Sequence, residues 1–237
     1  MPVQNLPDPD FGHRLAPTAQ RPLLGQTVLL VEDSRYASEA VRMLALRSGA
    51  RIRRADCIAS AERHLGTYRA GVAIVDLGLP DGDGLSLIRR LARATQRPTV
   101  LLATSGQDAA DVEAAAIAAG ADDFLPKPIE SLAAFQQIIL RHLPADLWPK
   151  GLRIVGNEEI RPDRLALTED LAYAGRLLEE DGVELDFVTR FLTGLARTGR
   201  DQVLLAETES LANRTLEEVR PHLRRMIAER LAARQVI

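Results

Sequence analysis

Cysteine is almost absent from this 237-residue chain, and a lone Cys57 cannot close an internal disulfide, so a disulfide-stapled scaffold is excluded. Aromatic residues are scarce: five Phe, three Tyr and one Trp offer no platform on which nucleic-acid bases would stack. Lysine is rarer still, with Lys127 and Lys150 against 28 arginines. Thirty basic residues face 33 acidic ones for a net charge of −3, so no strongly basic surface is expected and nucleic acid is an unlikely partner. Long apolar runs are missing too. The longest charge-free stretches, such as Pro22–Val31, are ten residues, where a bilayer span needs about 18. No membrane segment is expected, and without a basic start followed by an apolar run the chain reads as cytoplasmic. What is present is an ordinary globular composition, 46% hydrophobic and 27% charged, which excludes a disordered tail or a collagen-like fibre and allows one large domain or two modest ones.

Residues 1–25 include Pro2, Pro7, Pro17 and Pro22 and show no apolar period, so they read as a flexible leader. From there to Pro144, short apolar runs alternate with amphipathic segments, the pattern of a parallel sheet with crossover helices. Strands are expected at Val28–Val31, Arg51–Ala55, Val72–Val75, Thr99–Ala103 and Asp123–Leu125, and helices at Ser34–Arg47, Ser60–Tyr68, Leu85–Arg93, Ala109–Ala119 and Leu132–His142. Gly49 and Gly120 fall just past a helical run and before a strand, where a left-handed cap favours glycine. The expected fold class is α/β: a five-stranded, doubly wound parallel sheet over 26–144, a junction at 145–156, and an all-α region over 157–237.

In an open parallel sheet the functional crevice lies beyond the carboxyl ends of the strands. There the chain places Glu32–Asp33 after the first strand, Asp76 after the third, Thr104–Ser105 after the fourth and Lys127–Pro128 after the fifth. Three carboxylates at one sheet edge raise each other's pKa values unless a cation lies among them, which points to Mg²⁺ and, with it, to phosphoryl transfer. Taken singly, each feature has a structural reading: Glu32–Asp33–Ser34 as a helix start, Asp81–Gly82–Asp83–Gly84 as a turn, Thr104 as a strand-end hydroxyl, Phe124 as core, Lys127 as a solvated surface charge. A metal-dependent phosphatase with a nucleophilic aspartate would need a second acid two residues after Asp76, where Gly78 stands.

Taken together, Glu32–Asp33, Asp76, the loop from Asp76 to Gly84, Thr104, Phe124 and Lys127–Pro128 resemble, in order and spacing, the receiver domain of two-component response regulators, over about residues 26–144. The resemblance implies the flavodoxin-like receiver fold. Asp76 would be the phosphoacceptor. Asp33, Asp76 and the Gly78 carbonyl would hold Mg²⁺, with Glu32 acting through a water, and Lys127 would pair with Asp76 and then with the phosphoryl group. Thr104 and Phe124 would form the switch, the hydroxyl moving toward the phosphate and the aromatic turning inward. The phosphoryl donor would be a sensor histidine kinase or a phosphotransfer protein, and the signal would leave through the fourth helix, fifth strand and fifth helix toward Pro144. The small Ser105 would leave room for the phosphoryl group, and Gly78, at the position whose side chain tunes hydrolysis of the acyl phosphate in that family, offers no side chain to do so.

The remainder carries no recognisable enzyme. Residues 151–237 hold 13 Arg and no Lys against 16 acidic residues, an excess of three negative charges. Apolar residues recur at helical spacing at Leu167, Leu171, Ala174 and Leu178, at Phe187, Phe191 and Leu195, and at Leu216, Val219, Leu223 and Met226. The last group reads as a seam, with Pro221 a kink or first turn, and a homodimer or protein partner through this region is expected over internal packing. The alternative is a DNA-binding transcription regulator using the arginine-rich stretch Arg220–Ile237. His222 lacks the glycine and lysine that follow a phosphotransfer histidine and is expected to be incidental.

Overall fold

The computed structural model describes residues 16–107, 109–129, 131–151, 163–213 and 216–234. Five parallel strands, β1 (Thr27–Val31), β2 (Arg51–Ala55), β3 (Val72–Asp76), β6 (Val100–Ser105) and β7 (Asp123–Pro126), form one sheet in the order β2-β1-β3-β6-β7. This is the flavodoxin-like doubly wound arrangement, and the strand order reverses beside β1 and β3. A two-residue hairpin, β4 (Gly78–Leu79) and β5 (Gly82–Asp83), stands just beyond the end of β3.

Side chains alternate along each central strand. Leu29, Val31, Ala73, Val75, Leu101 and Ala103 face α2 (Ile58–Leu65), α3 (Gly84–Arg93) and α4 (Ala109–Ala119). Val28, Leu30, Val72, Ile74, Val100 and Leu102 face α1 (Arg35–Arg47) and α5 (Leu132–His142), where Phe135 and Ile139 are fully buried. Burial on both faces explains why these strands read as continuous apolar runs. The edge strand β2 instead exposes Arg51, Arg53 and Arg54, charges that discourage pairing with another sheet. Gly49 and Gly120 adopt φ of 85° and 107°, the left-handed turns expected of them.

Four differences from the sequence reading have physical causes. Residues 1–15 of the expected leader lie outside the described residues, and within its remainder Leu23 is completely buried in the α1–α5 core, its N–H donating to Ser48 O at 2.8 Å. The second helix starts at Ile58, because the Asp81 carboxylate accepts hydrogen bonds from Ile58 N (2.8 Å) and Ala59 N (2.9 Å) and caps it from a distant loop. The sequence offers no local sign of that. Pro221 is not in a first turn, since the last helix already begins at Leu216. Finally, the stripe Val219, Leu223 and Met226 is consumed inside the chain. It packs with Leu171, Leu178, Phe187, Phe191 and Leu195 in a core built by α6 (Arg164–Leu177), α7 (Leu185–Gly199), α8 (Gln202–Glu209) and α9 (Leu216–Arg234). The seam that motivated a dimer is therefore covered by the protein's own helices. The expected junction at 145–156 lies partly outside the described residues, and among those described no helix is long and apolar enough to cross a membrane.

Candidate functional site

The sheet brings the expected residues to one edge. β1 ends at Val31 and delivers Glu32 and Asp33, β3 ends in Asp76, β6 ends in Thr104 and Ser105, and Lys127 follows β7. Glu32, Asp33 and Asp76 each offer a carboxylate oxygen within 4.8 Å of the others. Lys127 Nζ lies 2.9 Å from Asp76 Oδ1 and 2.5 Å from Glu32 Oε2, with all three side chains nearly enclosed. The Lys127–Pro128 peptide is cis. Glu32 Oε1 also accepts from Ser34 N at 3.1 Å, and Gly78 donates its N–H to Asp76 Oδ2 at 3.1 Å.

Burial dominates the electrostatics. It pushes the Glu32 carboxyl up to about 7 although Lys127 works in the opposite direction. It also raises Asp33 well above the ordinary aspartate value, with Glu32 and Asp76 adding to the rise. Burial disfavours the charge on Lys127 as well, but Asp76 and Glu32 outweigh it and hold the ammonium well above the normal lysine range. Lys127 is shared between Glu32 and Asp76. Asp33 Oδ2 is buried with no hydrogen-bond partner among the described residues, and an orphan oxygen beside two further carboxylates is a donor set suited to a small hard cation. The residues present fit Mg²⁺.

The hydroxyl and the aromatic sit where the sequence placed them but face the core. Thr104 Oγ1 donates to Leu125 O at 2.6 Å, and Phe124 is buried against the α2–α3–α4 face. Asp81 and Asp83 prove structural: Asp81 caps α2 and Asp83 accepts from Leu85 N at the start of α3. His222 sits on α9 beside Arg225, away from the acid cluster.

Two features were not anticipated. Arg190, Phe191 and Gly194 of α7 line the same cavity as the acid cluster, so the C-terminal helices reach over the site. Asp170 of α6 is 2% exposed and accepts from Ser34 Oγ (2.7 Å), Arg35 N (2.9 Å) and Tyr36 N (2.9 Å), the free donors at the start of α1. A sign of it was available, since Asp170 lies three residues after Leu167 and four before Ala174, an acid on an apolar helical face.

The family profile "Response regulator receiver domain" matches residues 28–139. Those residues are a response regulator receiver domain. The KDP operon transcriptional regulatory protein KdpE of Escherichia coli K12 is 34% identical over 127 residues, covering 53% of this chain and 56% of that protein. The virulence transcriptional regulatory protein PhoP of Salmonella typhimurium is 36% identical over 116 residues, covering 48% and 51%. The chain thus spans about half the length of these curated relatives. A solved signal receiver domain of a histidine kinase from Syntrophus aciditrophicus is 28% identical, with a TM-score of 0.45, covering 50% of this chain and 89% of that one. The match ends at residue 139 and does not reach the C-terminal helices.

Proposed function

We propose that the chain is the response regulator of a two-component phosphorelay, phosphorylated on Asp76 in a Mg²⁺-dependent reaction by a histidine kinase or phosphotransfer protein. The observation that carries this reading is the placement of Lys127 Nζ between Asp76 and Glu32, with the unpartnered Asp33 oxygen beside them. Asp76 attacks phosphorus in line, a P–O bond forms as the donor's P–N bond breaks, and the histidine leaves with the electron pair. Asp33, Asp76 and the Gly78 carbonyl would hold Mg²⁺, with Glu32 acting through a water, and the ion would supply charge neutralisation for the incoming group. Lys127 then exchanges its contact with Asp76 for a phosphoryl oxygen, a task suited to a compact ammonium. Thr104 must give up its bond to Leu125 O to reach the same group, and that displacement couples the phosphate to the core around Phe124. The receiver catalyses its own phosphoryl transfer and dephosphorylation, and no separate output enzyme is assigned.

For the output, transcription control is the reading the relatives favour, since both named above are transcriptional regulatory proteins. They lend no support to the expectation that nucleic acid is an unlikely partner. A protein-interaction module is the reading the helices favour. Arg224 contacts Leu178 O and Glu179, Arg230 contacts Glu207 at 2.7 Å, and Arg220 contacts Leu178 O at 2.6 Å, so these arginines of α9 are engaged within the chain. Labelling of the full chain by acetyl phosphate with Mg²⁺, compared with Asp76→Asn, tests the receiver chemistry. Equal labelling of the two would remove Asp76 from the role. A salt titration of binding to duplex DNA separates the outputs, because phosphate contacts give a steep ionic-strength dependence.

A further inference from the structure

The cavity around Asp76 has a floor and a roof that come from different halves of the chain. The floor is the acid cluster with Lys127, and the roof is Arg190, Phe191 and Gly194, one face of α7. The space left between them is about 30 Å³, room for roughly two waters. A phosphoryl group, with a donor in line behind it, must enter from outside the carboxyl edge of the sheet, which is the side α7 occupies. Helix and loop meet there backbone to backbone: a Cβ placed on Gly106, just after β6, would collide with Gly194 Cα.

The same docking is held at a second place. Asp170 ties α6 to the first turn of α1 through Ser34, Arg35 and Tyr36, and Tyr36 packs on the C-terminal core. These ties are reversible by nature. Once undocked, the α1 donors and the Asp170 carboxylate bond water instead, so the net worth of each bond is far below its strength in the buried contact. Beside the contact the two halves are not closely packed. One cleft of about 590 Å³ runs between Arg54 and Tyr173, and another of about 720 Å³ runs between Pro80 and Phe187.

We propose that α7 is a lid on the phosphoacceptor pocket, so that docking of the C-terminal helices and phosphorylation of Asp76 exclude one another. The inference rests on the reading of Asp76 as phosphoacceptor and adds how that site is regulated and how its signal leaves. A phosphodonor reaches Asp76 while the helices are lifted, and the phosphoryl group, once in place, occupies the space that α7 needs to return. By reciprocity, whatever captures the released helices speeds phosphorylation, and phosphorylation frees the helices for capture.

The test uses the full chain, acetyl phosphate and Mg²⁺, with the mass shift on Asp76 followed over time. Gly194→Leu forces a side chain toward Gly106 while improving helix propensity, so α7 still folds. Asp170→Ala removes the second tie. Gly194→Ala is the control, because its Cβ would lie 3.9 Å from Gly106 Cα, an ordinary contact. If the lid is open about a tenth of the time, Gly194→Leu and Asp170→Ala should label about tenfold faster than the parent, with Gly194→Ala near the parent rate. Beryllofluoride should also speed amide exchange at Arg35 and Tyr36, the N–H groups held by Asp170. Parent-rate labelling in both undocking variants would overturn the lid and leave the phosphoacceptor reading intact. No labelling in any protein, parent included, would overturn both.

Discussion

Ser34 is flanked by two carboxylates with buried oxygens: its chain neighbour Asp33 and its hydrogen-bond partner Asp170. Burial raises the pKa of both. Asp170 receives three hydrogen bonds, whereas Asp33 keeps an oxygen with no partner among the described residues. Burial alone therefore does not separate the receiver edge, which leaves a carboxylate oxygen of Asp33 unsatisfied among the described residues, from the α6 contact, where both Asp170 oxygens are bonded. Satisfaction does. A buried acid whose lone pairs are filled by the fold is a fastener, and one left open is prepared for something not yet bound. The same contrast holds on the larger scale between the acid cluster, with three carboxylates to one lysine, and the helical region, where Arg220, Arg224 and Arg230 of α9 are paired or capping.

The comparison can be broken most severely at Asp76. Asp76→Asn keeps the shape and should reduce acetyl phosphate labelling to background, measured by mass; labelling of another residue at the parent rate would move the site. In the helical region, Leu223→Ala opens a cavity in a filled core and should cost about 3 kcal/mol in urea unfolding, independent of protein concentration. A concentration-dependent midpoint would mean the stripe serves a dimer after all. The two acids can be set directly against each other. Asp33→Asn should weaken Mg²⁺ binding by at least about tenfold in calorimetry, and Asp170→Asn should leave it unchanged.

The smallest effect expected is on pH. With the Glu32 carboxyl at about 7 against an ordinary 4.5, the folded chain holds a proton that the unfolded chain releases. The metal-free protein should therefore lose stability as pH rises between those values and level off above about 7. Mg²⁺ affinity should rise over the same range, because the metal must displace that proton. Flat profiles from thermal melts at several pH values, with and without Mg²⁺, would show that Glu32 is ionised throughout.

Most of the receiver was legible from residue order. Strands buried on both faces are apolar without interruption, helices between them repeat at helical spacing, and the charged residues that end each strand must gather where the strands end. Glu32, Asp33, Asp76, Thr104 and Lys127 could be placed at one edge for that reason. The caps that come from far away were not legible: the reach of Asp81 to Ile58, of Asp170 to α1, and the burial of Leu23 all join residues whose local sequence says nothing of the partner.

By itself, then, the sequence determined the sheet, its winding and the chemistry at its carboxyl edge, because those follow from local period and from strand direction. Where α6 and α7 rest was decided by the tertiary structure. An apolar helix face specifies that it will be covered, not by what. Here the cover for Val219, Leu223 and Met226 is the chain's own helices, and the cover for the acid pocket is the face of α7 bearing Gly194, where two glycines let one backbone approach another.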